Sequence, residues 1–432
     1  MGSGCSDLSR KKYICDVSAC VESVKGITKN SASPSEGLVL KFVPGSNYEG
    51  NPISFGFMKW FAINVKNEGA NALEYEIEIY KQIIRPLIDN KICTNFIRYL
   101  SSGKCDTDTI VMLLEGKALL RNGKLMDREQ AEMATMIMYD FSFYEEDTKQ
   151  RNLDNIVREF GKKKQFINAT YGPQDIGVLI NEAISPETMT LEDWLNNWDW
   201  GDFNILGGIL FQISVAVYTL SLSGTAHNDL HLGNIWIKPH FEKITYIIGS
   251  RVYFVHTGVK VLLYDFDRSY SKSLGDNKSL EPELCKRYSQ CNKLIGSKDI
   301  AKVIGCIYHA SRDDDFREFL LDLLLDEKYG DSKDILHDSF SDNIYLFDPD
   351  TGKAVNDQVF EEMYSITHIM ANIALTSGIV NEKLEDFKGN QEKISQLGCD
   401  INIIQTSFFN KETGMLKANA KQLIKLFLQK MF

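Results

Sequence analysis

His227-Asn228-Asp229-Leu230-His231-Leu232-Gly233-Asn234-Ile235 is the stretch on which the reading of this 432-residue chain turns. It follows directly on 203–222, where Leu206, Ile209, Leu210, Ile213, Val217 and Leu220 recur as on a long helix buried over a wide face. Two apolar β runs come after it, around 244–256 and 259–264, and then Tyr264-Asp265-Phe266-Asp267. A carboxylate on a loop, Asp229, can accept a proton from an incoming hydroxyl or orient it. An amide five residues later, Asn234, offers a neutral oxygen to Mg²⁺. A second carboxylate at a strand end, Asp265, can grip a metal that bridges phosphates. Phosphoryl transfer needs little beyond this positioning and charge neutralisation. Taken singly, each residue could be a surface turn residue or, for His227, a packed imidazole; the order of all of them is what carries the signal.

That order resembles the protein-kinase catalytic loop, H-R-D-x-x-x-x-N, followed by D-F-G. The spelling is similar to that of serine/threonine kinases of large cytoplasmic DNA viruses, which share H-N-D-L-H-x-x-N and D-F-D. The resemblance implies a bilobal α+β fold with a β-rich N-lobe and a mainly helical C-lobe. It implies ATP and Mg²⁺ as cofactors and a protein hydroxyl as acceptor. Asp229 becomes the base or hydroxyl orienter, Asn234 and Asp265 the metal ligands, and His227 a structural residue. Lys41, alone in the apolar run Val39-Leu40-Lys41-Phe42, resembles the strand lysine on the nucleotide phosphates; a lysine buried there without a partner would be costly. Its expected partner is Glu76, with Glu74 and Glu78 as alternatives on a solvated face. Asn181-Glu182-Ala183 resembles the hinge that binds adenine through its backbone. Asp299 resembles the helix aspartate that holds the catalytic-loop backbone. The implied division is an N-lobe at 1–180 with an insertion at about 105–170, a hinge at 181–183, and a C-lobe at 184–432.

Five departures bear on function. His231 stands where serine/threonine kinases carry a lysine, and it is expected to supply part of the charge on the transferring phosphate; the same D-L-H-x-x-N occurs in aminoglycoside and choline kinases, so a small-molecule acceptor is an alternative. Asp267 replaces a glycine and is expected to restrict Phe266. No glycine-rich loop precedes Lys41, Gly2-x-Gly4 being the sole candidate, and this favours a pseudokinase scaffold as a further alternative. Leu280-Glu281-Pro282-Glu283 is only a faint echo of A-P-E. Asn228 also replaces the arginine that usually receives an activation-loop phosphate. Arg268, on that same loop segment, is not expected to tether it.

Composition sets the outer bounds. With 44% hydrophobic and 25% charged residues, the chain has material for a sizeable core. Its 48 basic and 59 acidic residues leave a net charge of −11, against a protein that coats nucleic acid. No apolar run approaches the roughly 18 residues of a membrane span, so a membrane-spanning reading is excluded here. Nine irregularly spaced cysteines without a C-x-x-C pair indicate reduced thiols and a cytoplasmic location, in host cytoplasm or virion if the chain is viral. Met1-Gly2-Ser3-Gly4-Cys5-Ser6 fits a myristoylation pattern, which would make Gly2 a lipid anchor; a phosphate-cradling loop and a chance match are the alternatives.

Overall fold

Short runs rich in valine, isoleucine and aromatic residues build the first sheet, because such side chains pack well on a pleated surface. The computed structural model describes residues 21–28, 36–42, 44, 46–48, 51–62, 68–106, 175–182, 188–198, 203–277, 294, 296–342, 355 and 357–431. The expected insertion beyond Asp106, and with it Gly2, Ala183 and Glu281 to Glu283, lies outside these residues. The chain divides into two compact units of mixed α and β structure, Met1–Ile77 with Ile97–Ser185, and Glu78–Phe96 with Pro186–Phe432.

In the first unit, β1 (Val21–Thr28), β2 (Glu36–Phe42), β3 (Phe55–Ala62), β4 (Tyr99–Asp106) and β5 (Asp175–Glu182) form one sheet in the order β1-β2-β3-β5-β4. Every neighbouring pair is antiparallel. Helix α1 (Glu68–Ile79) follows β3. Leu40, Phe42, Val178 and Ile180 are buried in the sheet's core. Gly56 admits this packing: a Cβ there would stand 2.7 Å from the Phe42 ring, closer than any side chain tolerates.

The second unit opens with β6 (Met189–Thr190) and α2 (Leu191–Asn196), whose first turn is capped by the Thr190 hydroxyl accepting from the Asp193 N–H. Helix α3 (Phe203–Leu222) comes next, then β7 (Thr225–Ala226), β8 (Ile235–Pro239), β9 (Ile244–Ile248), β10 (Arg251–Val255), β11 (Val259–Leu263) and β12 (Tyr270–Ser271). Helix α4 (Lys298–Ala310) is buried along most of its length. Contrary to the sequence reading, α3 is long and apolar enough to cross a membrane by length and composition. Its residues are mostly buried within the unit, which is the behaviour of a core helix.

The region after residue 297 is helical, as its pattern suggests, but it also contributes β13 (Val380–Lys383) and β14 (Asp400–Ile404). These complete a four-stranded sheet, β13-β10-β9-β14, in which β14 runs parallel to β9. Strands this short carry too few residues for a period of two to stand out, and their partners lie far away in the chain.

Candidate active site

The first unit holds a buried lysine–glutamate pair. Strand β3 reads Phe55-Gly56-Phe57-Met58-Lys59-Trp60-Phe61-Ala62, an apolar run broken by one cation. The Lys59 Nζ donates to both carboxylate oxygens of Glu76 on α1, at 3.1 and 3.2 Å. Their side chains are 5% and 1% exposed, so this is a buried charge pair. The expectation for Lys41 is thereby corrected: among the described side chains, the lysine that meets Glu76 is Lys59. Lys41 sits on β2 opposite Phe55. That is four residues along from Lys59, or about 13 Å at the rise of a strand. Both lysines interrupt apolar strands, and the cost argument used for Lys41 applies with equal force to Lys59. Glu74 is exposed, and Glu78 accepts from the Gln82 side chain.

Asn181, near the end of β5, faces Phe57 in register, while Leu179 faces Lys59. Strand alternation therefore puts Asn181 and Lys59 on the same face of the sheet. Asn181 is fully buried, and both polar atoms of its side chain lack a hydrogen-bond partner among the described residues. Such groups cost about 1–3 kcal/mol each when left unmade. Glu182 is more exposed and lies 3.8 Å from Arg98.

The second unit holds the loop after β7. Asp299, in the first turn of α4, accepts the His227 N–H at 2.7 Å and the Asn228 N–H at 2.8 Å. One carboxylate thus pins two successive peptide groups. Asn228 takes a left-handed backbone, φ 64°, which a non-glycine residue adopts only when its surroundings hold it there. The His227 ring is fully buried; its Nε2 donates to the Tyr264 carbonyl at 2.9 Å and its plane packs 4.8 Å from the Phe266 ring. Phe266 is also fully buried, and Tyr80 meets it edge-on at 5.3 Å.

Strand pairing brings the two segments that carry the metal candidates side by side. Ile235 on β8 faces Leu263 on β11, so the two residues flanking this pair, Asn234 and Tyr264, are neighbours; the Tyr264 N–H donates to the Asn234 carbonyl at 3.0 Å. Asp265 is next in the chain, 4% exposed, with φ 68°. Among the described residues of this segment, the left-handed strain therefore falls on Asp265, whereas Asp267 needs no positive φ. The Asn234 amide nitrogen is spent on the Asp229 carbonyl at 2.9 Å, which turns its oxygen elsewhere. An amide oxygen and a carboxylate are hard oxygen donors, the set Mg²⁺ selects.

Asp229 is where the electrostatics concentrate. Lys302, one turn beyond Asp299 on α4, reaches Asp229 Oδ1 at 2.7 Å, and Arg268 Nη1 stands 3.7 Å from Oδ2. Burial pushes the Asp229 pKa up, but the charges of Lys302 and Arg268 and the hydrogen bond from Lys302 outweigh it and hold the carboxyl below the usual range. His231 does not provide the cation expected of it. Its Nδ1 accepts the Gly233 N–H at 3.1 Å, and burial, reinforced by Lys302 and His227, lowers its pKa despite Asp229. The ring also packs so tightly on the turn that a Cβ at Gly233 would sit 2.9 Å from its Cε1.

Arg268 corrects a second expectation. Besides standing by Asp229, its carbonyl accepts from the Asn228 side chain at 3.2 Å, so this residue does tie its segment to the loop. Ser269 Oγ donates to the His227 carbonyl, and the Asn277 amide bridges the carbonyls of Asp267 and Ser269. Lys298, buried at the start of α4, donates to Asn228 Oδ1 at 3.2 Å; burial lowers its pKa to about 8. Lys59 and Lys302 are the residues that the motif reading missed. Lys59 was signalled by a lone lysine in an apolar strand, and Lys302 by its spacing of three from Asp299, which puts both on one helix face.

No protein-family model matches the chain, and no curated protein does. Among solved structures it is similar to "WaaP in complex with acyl carrier protein", at 8% identity over 84% of this chain and 91% of that one, with a TM-score of 0.32. It is also similar to "Crystal structure of Rad53 kinase domain and SCD2", at 11% identity over 81% of this chain and 98% of that one, with a TM-score of 0.30. Likenesses at these scores leave function to be read from the chain's own geometry.

Proposed function

We propose that this protein is a phosphotransferase of protein-kinase-like fold that uses ATP and Mg²⁺, with serine or threonine hydroxyls of proteins as its first-choice acceptors. The observation that carries the reading is the loop pinned by Asp299. One buried carboxylate fixes the backbone on which Asp229 and Asn234 stand, and strand pairing sets Tyr264, the residue before Asp265, beside Asn234. In this reading Asp229 orients the acceptor hydroxyl and takes its proton, and Lys59, held by Glu76, binds the nucleotide phosphates. Asn234 and Asp265 hold Mg²⁺, which when bound neutralises phosphate charge. The buried Asn181 amide, which meets no partner among the described residues, is assigned to the nucleotide.

With Lys59 as the strand lysine, the two strands that precede it in its own sheet are β1 and β2. Their connection, 29–35, has no glycine. That favours a second reading, a scaffold that binds nucleotide without turning it over. One experiment tests both: ATP hydrolysis and phosphorylation by the purified chain with Mg²⁺, offering casein-like proteins and small hydroxyl or amino-sugar acceptors, beside Asp229→Asn and Asp265→Asn. Turnover lost in both variants supports the transferase. Nucleotide binding with no turnover in the unmodified chain supports the scaffold, and neither binding nor turnover ends both readings.

A further inference from the structure

From His227 to Ile235 the loop contains no lysine or arginine. Of its two imidazole rings, that of His231, two residues from Asp229, has Nδ1 committed to the Gly233 N–H, a bond that protonation there would break. The positive charge at Asp229 instead comes from a different element. Helix α4 presents Asp299 to the loop's N–H groups and, three residues on, Lys302 to the loop's carboxylate. Lys302 is 17% exposed at its side chain and Asp229 18%, so solvent screens the pair only partly.

The two oxygens of Asp229 are therefore unequal. Oδ1 is held by Lys302 at hydrogen-bond distance, while Oδ2 meets only Arg268 among the described residues, at 3.7 Å, on a side chain that is half exposed. An ammonium at 2.7 Å fixes a carboxylate rotamer; a guanidinium at 3.7 Å is beyond hydrogen bonding and gives way.

Resting on the phosphotransferase reading above, we infer that Lys302 is the positioning residue of the transfer step, locking Oδ1 of Asp229 so that Oδ2 alone receives the acceptor hydroxyl. The acceptor's proton passes to Oδ2 as its oxygen bonds the γ-phosphorus. The bridging bond to the β-phosphate breaks, and its electron pair leaves with ADP. Lys302 touches none of the reacting atoms and acts through the carboxylate it holds.

The test measures kcat, KM for ATP, affinity for Mg²⁺-ATP and thermal stability in Lys302→Met and Lys302→Arg beside the unmodified chain. Lys302→Met should lower kcat about tenfold to a hundredfold, the range spanned by loss of one hydrogen bond to a charged group. KM for ATP and Mg²⁺-ATP affinity should stay unchanged, and Lys302→Arg should restore most of the rate. Lys302→Gln, which keeps a donor without the charge, replaces the methionine variant if that one loses its fold. Undiminished kcat in the uncharged variant overturns the inference. Equal losses in the arginine and uncharged variants, with a fall in thermal stability, also overturn it, because they would make Lys302 a packing residue. If the unmodified chain neither binds nor turns over Mg²⁺-ATP, the phosphotransferase reading itself fails.

Discussion

Removing either partner of the Lys59–Glu76 pair should do more damage than removing both. The charges stand 3.1 Å apart with side chains 5% and 1% exposed. At an effective dielectric near 20, Coulomb's law puts their attraction at about 5 kcal/mol. An exposed pair would contribute at most about 1 kcal/mol, because water and salt screen it. Lys59→Met removes the cation that Glu76 meets at 3.1 Å, and Glu76→Gln the anion that Lys59 meets there; each should cost about 3–5 kcal/mol. The double variant Lys59→Met/Glu76→Leu removes both charges and keeps most of the volume, so it should recover most of that loss. Urea denaturation of the four proteins, analysed as a double-mutant cycle, reads the coupling directly. Activity should behave otherwise. If Lys59 binds phosphates, the double variant is folded yet at least about a hundredfold slower, since recovered stability does not restore the cation. A coupling under about 1 kcal/mol would refute the buried-pair reasoning. A double variant with full activity would remove Lys59 from the site.

Three further outcomes are expected. The His231 pKa is lowered in the fold, so the unfolded chain binds the extra proton first; stability from this residue is complete above about pH 6.5 and is lost as pH falls through the folded value. His231→Asn, which can still accept the Gly233 N–H, should flatten the decline in melting temperature between pH 7.5 and 5, and an unaltered slope would contradict it. Ser269 and Ser271 are fully buried, and the segment is already tied to the loop by Arg268 and Ser269, so on the phosphotransferase reading phosphatase treatment should leave the rate within about tenfold of that of the untreated protein. Asn181→Leu should raise the stability of the nucleotide-free protein by about 1–3 kcal/mol, by removing orphaned polar atoms, and weaken Mg²⁺-ATP binding. A loss of stability would mean that the amide is satisfied within the fold.

The sequence by itself determined the parts whose chemistry is local in the chain. His227 to Asn234 is one loop, and the N–H groups, carboxylate and amide that it presents follow from residue identity and a spacing of five. The long helix before it and the strands after it were readable because a buried face repeats over many residues. Glu76 could be singled out on its helix, but its partner could not: two lysines, each alone in an apolar strand, satisfy the same argument until strand register places one of them by the carboxylate. Only the tertiary structure decided which cation stands at Asp229. A histidine two residues away in the chain is nearer in sequence, yet its ring is bound to the turn, while a lysine more than seventy residues on is delivered by a helix that the same loop already grips. The short strands β13 and β14 were equally invisible, since four or five residues acquire a preference for the strand only from the sheet they join. Charge is felt through space, whereas sequence patterns record distance along the chain; wherever those two distances diverge, the packed fold decides.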